Sequence, residues 1–278
     1  MTTIDKVLET MSPSKADAAL ECLFRWSIVY LEGRRKPPSA ALAFGRAWDD
    51  LANVTTTVKM ATGVDPAPEL AAEVFDEHFS QAAADVETWH ENDDREALAE
   101  TGRKLARRWT EVILRRVAPL EIQGWVDVPI VDEWSGETWK VNGRRDYVAE
   151  WIEGPQAGEV VVIDNKTSAR KWSLARVRRS TQAAVYILGA QADGIATSKI
   201  QFHVATKTKA ADLQVLERVV DQAELDGLVR RFGQTRKLLR AAHDADAFLP
   251  NRNATTCSRR WCAFWEECEK KHGGRVAD

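Results

Sequence analysis

Four consecutive apolar residues, Val160-Val161-Val162-Ile163, run straight into Asp164-Asn165-Lys166-Thr167. A β-branched block of that length is strand-sized and falls far short of the roughly 20 apolar residues a membrane-crossing helix requires. It predicts a buried strand whose end carries polar chemistry. Asp164 and Lys166 are two apart, and on an extended chain such positions project to the same side. Further short stretches rich in β-branched and aromatic residues flank this one: Ile122 to Val131, Thr138 to Val141, Asp146 to Ile152, Lys199 to Thr206 and Leu213 to Val220.

Helical periodicity fills the remainder. Ser14 with Asp17 resembles a capping box, and Ala19, Leu20, Leu23, Phe24, Ile28 and Leu31 give the apolar face of a first helix that Gly33 and Pro37-Pro38 terminate. A second helix is expected from Ser39, through Phe44, Gly45, Trp48 and Leu51. Two more follow the break at Pro66 and Pro68, about Glu69 to Trp89 and Asp94 to Val117, and Pro119 closes the helical regime. Helix is expected again over Ser173 to Ala192 and Asp221 to Ala242, and the tail from Pro250 to His272 reads as irregular. No internal repeat or low-complexity linker interrupts the chain. The expectation is one α/β domain over residues 1–278: a mainly helical region to about 118, a sheet core over 119–220, and a C-terminal helix with its tail over 221–278.

Hydrophobic residues make up 44% of the 278 and charged residues 29%, so a packed core is expected rather than disorder. The opening Met1-Thr2-Thr3-Ile4-Asp5-Lys6 lacks the basic start and apolar block of a secretion signal, which predicts a cytoplasmic protein with no membrane partner. A net charge of −3 excludes a polycation that grips nucleic acid by bulk charge. Locally the balance reverses: Lys166, Arg170, Lys171, Arg176, Arg178 and Arg179 stand together with no acidic residue among them, a field that attracts phosphates. Trp172, inside this run, offers a ring for base stacking or for packing.

Gly143-Arg144-Arg145-Asp146 sets a second acid at the start of a strand that can meet Asp164 and Lys166 across the sheet. Two carboxylates beside a lysine suit a hard divalent cation such as Mg²⁺, which prefers oxygen ligands. The cation polarises a phosphodiester and generates hydroxide, while the lysine orients water or stabilises growing negative charge. An isolated D-x-K tripeptide is more often an ordinary polar strand end. The buried strand before it, the acid after a Gly-Arg-Arg turn and the basic helix behind it shift the balance. Gln182 and Tyr186, four apart on the predicted helix with Arg178 one turn earlier, share a face that can touch substrate or brace the site.

The order G-x-x-D, apolar strand-D-x-K-T, then Q-x-x-x-Y (Gly143 to Asp146, Asp164 to Thr167, Gln182 to Tyr186) resembles the PD-(D/E)XK nucleases, specifically their RecB-like branch. The resemblance extends from about Cys22 to Cys268. It implies a restriction-endonuclease-like core, with a mixed central sheet flanked by helices, a helical N-terminal elaboration and a cysteine-stapled tail. It also implies that Asp146 and Asp164 bind metal, that the backbone carbonyl of Asn165 completes the metal shell, and that Lys166 serves the attacking water. The family usually carries F-G-x-x-x-H on an early helix, the histidine being an extra ligand. Here Phe44-Gly45-Arg46-Ala47-Trp48-Asp49 stands in its place, so Asp49 either replaces the imidazole at a Mg²⁺ or Mn²⁺ site or is a surface acid. Glu121 is similar to a further acid of such nucleases.

Cys257, Cys262 and Cys268 crowd the tail, and Cys22 stands alone upstream. In a reducing cytosol such thiols are ligands or core residues rather than disulfides. The arrangement is similar to the iron–sulfur staple of CRISPR-associated single-strand exonucleases and of some helicase–nuclease subunits, which implies a [4Fe–4S] cluster; the wider first gap leaves Zn²⁺ as the alternative. His78, His90, His203, His243 and His272 show no ligand-like pairing. The resulting expectation is a Mg²⁺- or Mn²⁺-dependent DNA exonuclease acting on single-stranded ends in recombination, repair or spacer acquisition, host- or phage-encoded. A homo-oligomer or a recombination-protein partner is open. The alternative is a DNA-binding component of a recombination complex with a weakened site; the lack of a G-x-x-x-x-G-K-[ST] loop argues against a nucleotide phosphotransferase.

Overall fold

Side-chain caps set where several helices begin: Ser12, Ser39, Asp94 and Ser173 each accept a hydrogen bond from a backbone N–H three residues on. A computed structural model describes residues 3–35, 37–87, 89, 93–132, 135–208 and 210–277; His90 lies outside them. In chain order the elements are α1 (Thr3–Leu8), β1 (Thr10–Met11), α2 (Pro13–Glu21), α3 (Leu23–Tyr30), α4 (Ala40–Thr62), α5 (Pro68–Ala84) and α6 (Arg95–Val112). There follow β2 (Val117–Ile122), β3 (Trp125–Val131), β4 (Thr138–Arg144), β5 (Tyr147–Trp151), β6 (Val160–Ser168), α7 (Leu174–Arg178) and α8 (Thr181–Ala192). The chain closes with β7 (Lys199–Thr206), β8 (Asp212–Val219), α9 (Gln222–Asp244) and α10 (Trp265–His272).

The chain divides into two compact units, Met1–Lys36 with Asp127–Gly143 and Gln222–Asp278, and Pro37–Val126 with Arg144–Asp221. The second holds a mixed five-stranded sheet in the order β2-β5-β6-β7-β8. β6 and β7 run parallel, joined through α7 and α8, while the other neighbours are antiparallel. Val161 and Ile163 of β6 and Tyr147, Ala149 and Trp151 of β5 bury against Phe44, Trp48, Phe75, Phe79 and Trp109 from α4, α5 and α6. Period-two alternation therefore turns Asp164 and Lys166 to the opposite face. The first unit pairs β1 with β4 in parallel and packs Phe24 and Ile28 of α3 against Phe264 and Cys268. Among the described residues no helix is long and apolar enough to cross a membrane. The mixed sheet flanked by helices is the α/β architecture expected from the sequence.

Several expected boundaries move, each for a local reason. The first helix is two: Pro13 begins α2 under a Ser12 cap rather than a Ser14 one, and Cys22 breaks the run with an extended backbone, φ −162° and ψ 110°. Pro119 does not end the helical regime but lies inside β2, an edge strand whose register shifts between Pro119 and Glu121, where a missing N–H is tolerated. The Ile122–Val131 run splits because Gln123 takes a left-handed φ of 55°. The Ser173–Ala192 helix breaks at Ser180, and Arg218 Nη1 donates to the Ser180 carbonyl at 2.8 Å and, at 3.4 Å, to that of Val177, which also accepts from the Ser180 N–H. Arg178 therefore sits on α7, not one turn before Gln182 on a shared helix. The irregular tail contains α10.

Candidate active site

The site grows from a mismatch in strand length. β6 pairs with β5 only as far as Ile163, opposite Tyr147, and then continues to Ser168 with β7 alone. Beyond Ile163 the β5-side edge is open, and Asp146, the residue before β5, closes it: its Oδ2 accepts from the Asn165 backbone N–H at 2.6 Å. A residue's N–H and C=O leave the same edge of a strand, so the Asn165 carbonyl opens toward Asp146. Asp164 is wholly buried, and its Oδ1 accepts from the Lys166 ammonium at 2.6 Å.

Charge accumulates in this corner. Burial and the neighbouring Asp164 carboxylate push Asp146 up to about 8, with Lys166 and the Asn165 N–H opposing. Burial also raises Asp164, against the pull of Lys166. Lys166 is raised: burial acts to discharge it, but Asp164, Asp146 and Asp49 together outweigh that. Two acids here lack enough positive charge, and Asp164 Oδ2 is buried without any hydrogen-bond partner. An oxygen so placed fits a hard divalent cation, and the donors present, carboxylates and a carbonyl, are those Mg²⁺ and Mn²⁺ prefer. Among the described residues no set of three or more His, Cys, Asp or Glu forms a metal-holding group by itself, so solvent or substrate oxygens would have to share the shell.

Asp49, on α4, is partly exposed, and burial raises it while Arg144, 3.8 Å away, opposes; Lys166 and Asp164 also act on it electrostatically. Its helix lies close to β6, where a Cβ on Gly45 would stand 3.6 Å from the Thr167 hydroxyl. From α8, Gln182 Nε2 donates to the Tyr186 hydroxyl at 3.0 Å, and burial, then Asp164 and Asp146, raise Tyr186. Asp49, Asp146, Asp164, Asn165, Lys166, Gln182 and Tyr186 thus gather at one end of β6. Glu121 is engaged elsewhere. Its Oε1 accepts from the buried Arg145 at 2.7 Å, and Asp193 takes the same guanidinium at 2.6 Å. Sequence reading missed Arg144 as a partner of Asp49, because nothing in the spacing links positions 49 and 144.

The basic run is dispersed over the end of β6 and α7. Arg170, Arg176, Arg178 and Arg179 are exposed, and Lys171 pairs with Asp212 at 3.1 Å. Trp172 is half-buried, packed on Phe202 at 5.5 Å and covered by the Arg176 guanidinium at 3.9 Å. Of the histidines, His203 is fully buried beside Tyr147, and burial holds it down at about 3, neutral. In the first unit, Cys22, Cys257, Cys262 and Cys268 line one small cavity with Phe24 and Phe264. Burial raises the Cys268 thiol, with Arg252 opposing and the other three cysteines adding to it.

Residues 10–269 match the family described as the PD-(D/E)XK nuclease superfamily. No protein of curated function matches significantly. Among solved structures, the chain is similar to an exonuclease candidate from Eubacterium rectale, with TM-score 0.54 and 13% identity over 96% of this chain and 90% of that one. It also matches the crystal structure of SSO0001, with TM-score 0.37 and 14% identity over 85% and 84% of the two chains, a likeness too distant to carry an argument. The first likeness concerns the fold alone, whereas the family match spans the strand edge, both acids and the lysine. The chain belongs to the PD-(D/E)XK nuclease superfamily, and the hydrolytic chemistry of that superfamily is the one its buried acids and lysine suit.

Proposed function

We propose that this chain is a single RecB-like nuclease domain that hydrolyses DNA phosphodiesters with Mg²⁺ or Mn²⁺, removing nucleotides from single-stranded ends. The observation that carries this reading is Asp164 Oδ2, buried without a partner, beside Asp146 and a lysine held by its other oxygen. Asp146, Asp164 and the Asn165 carbonyl would hold the ion, with Asp49 in the place of the family's usual histidine. A bound divalent ion supplies Lewis acidity toward the phosphate and lowers the pKa of water. Lys166, kept charged by its acids, can donate to an attacking water or to a phosphate oxygen as negative charge grows there. Gln182 and Tyr186, bonded to each other, brace the wall from which the phosphate is approached. Arg170, Lys171, Arg176, Arg178 and Arg179 offer the backbone a basic track, with Trp172 between them.

The four cysteines are proposed to hold a [4Fe–4S] cluster, with Zn²⁺ as the alternative; they line one cavity, which supports a shared metal centre, but as placed they do not close into a metal-holding group, so binding would have to draw them together. Such an enzyme would act in the cytoplasm in recombination, repair or spacer acquisition, alone, as a homo-oligomer or beside a recombination protein, in a bacterium or from a phage. A second reading, a DNA-binding complex component with a weakened site, draws on Asp49 pairing with Arg144 instead of a histidine ligand. Release of labelled nucleotides from single-stranded DNA with Mg²⁺ or Mn²⁺ separates the two. Asp164→Ala and Lys166→Ala are expected to lose about 100-fold or more in rate. An inert wild type, or variants that cut as well as wild type, would refute the enzymatic reading.

A further inference from the structure

Trp125 is 70% exposed, a large apolar surface for a tryptophan to leave in water. It is nonetheless firmly placed. The residues before it are tied to the segment that carries Asp146, because Gln123 N donates to the Asp146 carbonyl at 2.7 Å and Arg145 N donates to the Gly124 carbonyl at 2.8 Å. Gly124 is tightly enclosed, since a Cβ there would stand 1.4 Å from Glu121 Oε1 and would have to displace that carboxylate. Glu121 in turn is held by Arg145, 1% exposed, which also bonds Asp193. On the other side of Trp125, Val126 is buried against Gly189 of α8. The ring is thus exposed while the backbone around it is fixed by a buried arginine, a left-handed glutamine and a tightly enclosed glycine.

Arg144 lies over the Trp125 ring, 6.0 Å from guanidinium carbon to centroid, and its other side reaches the Asp49 carboxylate at 3.8 Å. That distance to the ring is the outer limit of a cation–π contact and leaves the aromatic face largely uncovered. An open aromatic face, a guanidinium and the acid corner follow one another in that order. We propose that Trp125 is a stacking platform for one base of single-stranded DNA, with Arg144 pairing to the adjoining phosphate, so that the strand is positioned for the corner of Asp146 and Asp164. This rests on the reading of the site as one that acts on DNA. The platform acts on binding and register, which makes Trp125 a positioning residue.

The test is the affinity of the full chain, in EDTA, for a short fluorescent oligo-dT and for a set of the same oligonucleotide with one abasic site moved along it. Trp125→Ala is expected to weaken binding roughly 5- to 150-fold, the range that stacking of a single base carries, and Trp125→Phe to recover most of it. One abasic position should weaken wild type by a similar factor and Trp125→Ala hardly further. Wild-type affinity in Trp125→Ala, undiminished abasic penalties in that variant, or no oligonucleotide binding by wild type would each overturn the platform. Turnover with Mg²⁺, with Asp164→Ala as control, is read separately. A wild type that cuts while Trp125→Ala binds normally removes the platform and leaves the nuclease. A wild type that shows the abasic coupling but never cuts keeps the platform and removes the nuclease.

Discussion

Replacing Asp146 by Asn should stabilise the metal-free protein while destroying its response to metal. In the fold the Asp146 carboxyl is pushed up to about 8 by burial and by Asp164, against an ordinary 3.8. A carboxyl that binds its proton more tightly in the folded than in the unfolded state makes stability fall as pH rises between those two values, and leaves it untouched below about 4. One proton is worth at most about 1.4 kcal/mol per pH unit over that window, so the full loss approaches several kcal/mol. Partial exposure of Asp146 and relaxation around it reduce this to on the order of 2–4 kcal/mol at pH 8.5. Asparagine keeps an oxygen for the Asn165 N–H but carries no charge, so this penalty disappears. For a chain of this size the gain corresponds to roughly 3–7 °C in Tm. Thermal unfolding in EDTA at pH 5.5, 7 and 8.5 reads it directly. Wild type should lose Tm across that series and recover it on addition of Mn²⁺, most strongly at pH 8.5, where protons no longer compete. Asp146→Asn should show a flatter profile and little recovery. If the variant is less stable than wild type in EDTA at pH 8.5, or Mn²⁺ stabilises both equally, the account of this corner as an under-compensated pair of acids is wrong.

Other expectations follow from packing and charge. Gly102→Ala would set a Cβ 1.8 Å from the wholly buried Phe75 ring, which already packs on Phe44 and Phe79; a loss of about 1–3 kcal/mol in denaturant unfolding is expected, and an unchanged midpoint would refute the close approach. Anaerobically purified protein should contain iron with visible absorbance, or else zinc, and Cys268→Ser should lose it; a wild type free of both metals on elemental analysis removes the proposal for the four thiols. Substituting Arg170 and Arg178 by Ala should reduce the slope of log affinity against log salt by about 0.7 for each phosphate no longer neutralised; unchanged slopes would take both residues out of the DNA track.

Much of the corner was legible in the chain. The block Val160 to Ile163 is strand-sized and β-branched, and on a strand alternation sets Asp164 and Lys166 on a common side. The caps at Ser39 and Asp94 likewise reported local chemistry, a side-chain oxygen meeting an N–H three residues on. Where local signals misled, tertiary partners had taken over. Ser173 to Ala192 has helical composition throughout, yet the run breaks at Ser180 because Arg218 of β8 supplies donors for carbonyls at the break. Pro119 reads as a stop signal and becomes part of β2 because that strand is at the sheet edge.

The sequence by itself determined the central strand, which acid and which lysine end it, and that four thiols are concentrated in two short segments. These are properties of neighbours a few bonds apart, governed by backbone stereochemistry. Only the tertiary structure decided that β6 outruns β5, so that Asp146 caps an open strand edge and faces Asp164. It also decided that Arg144 reaches Asp49 and that Arg145 withdraws Glu121 from the site. Those depend on pairing register and on which side chain first satisfies a buried charge, and both are set by contacts between segments far apart in the chain.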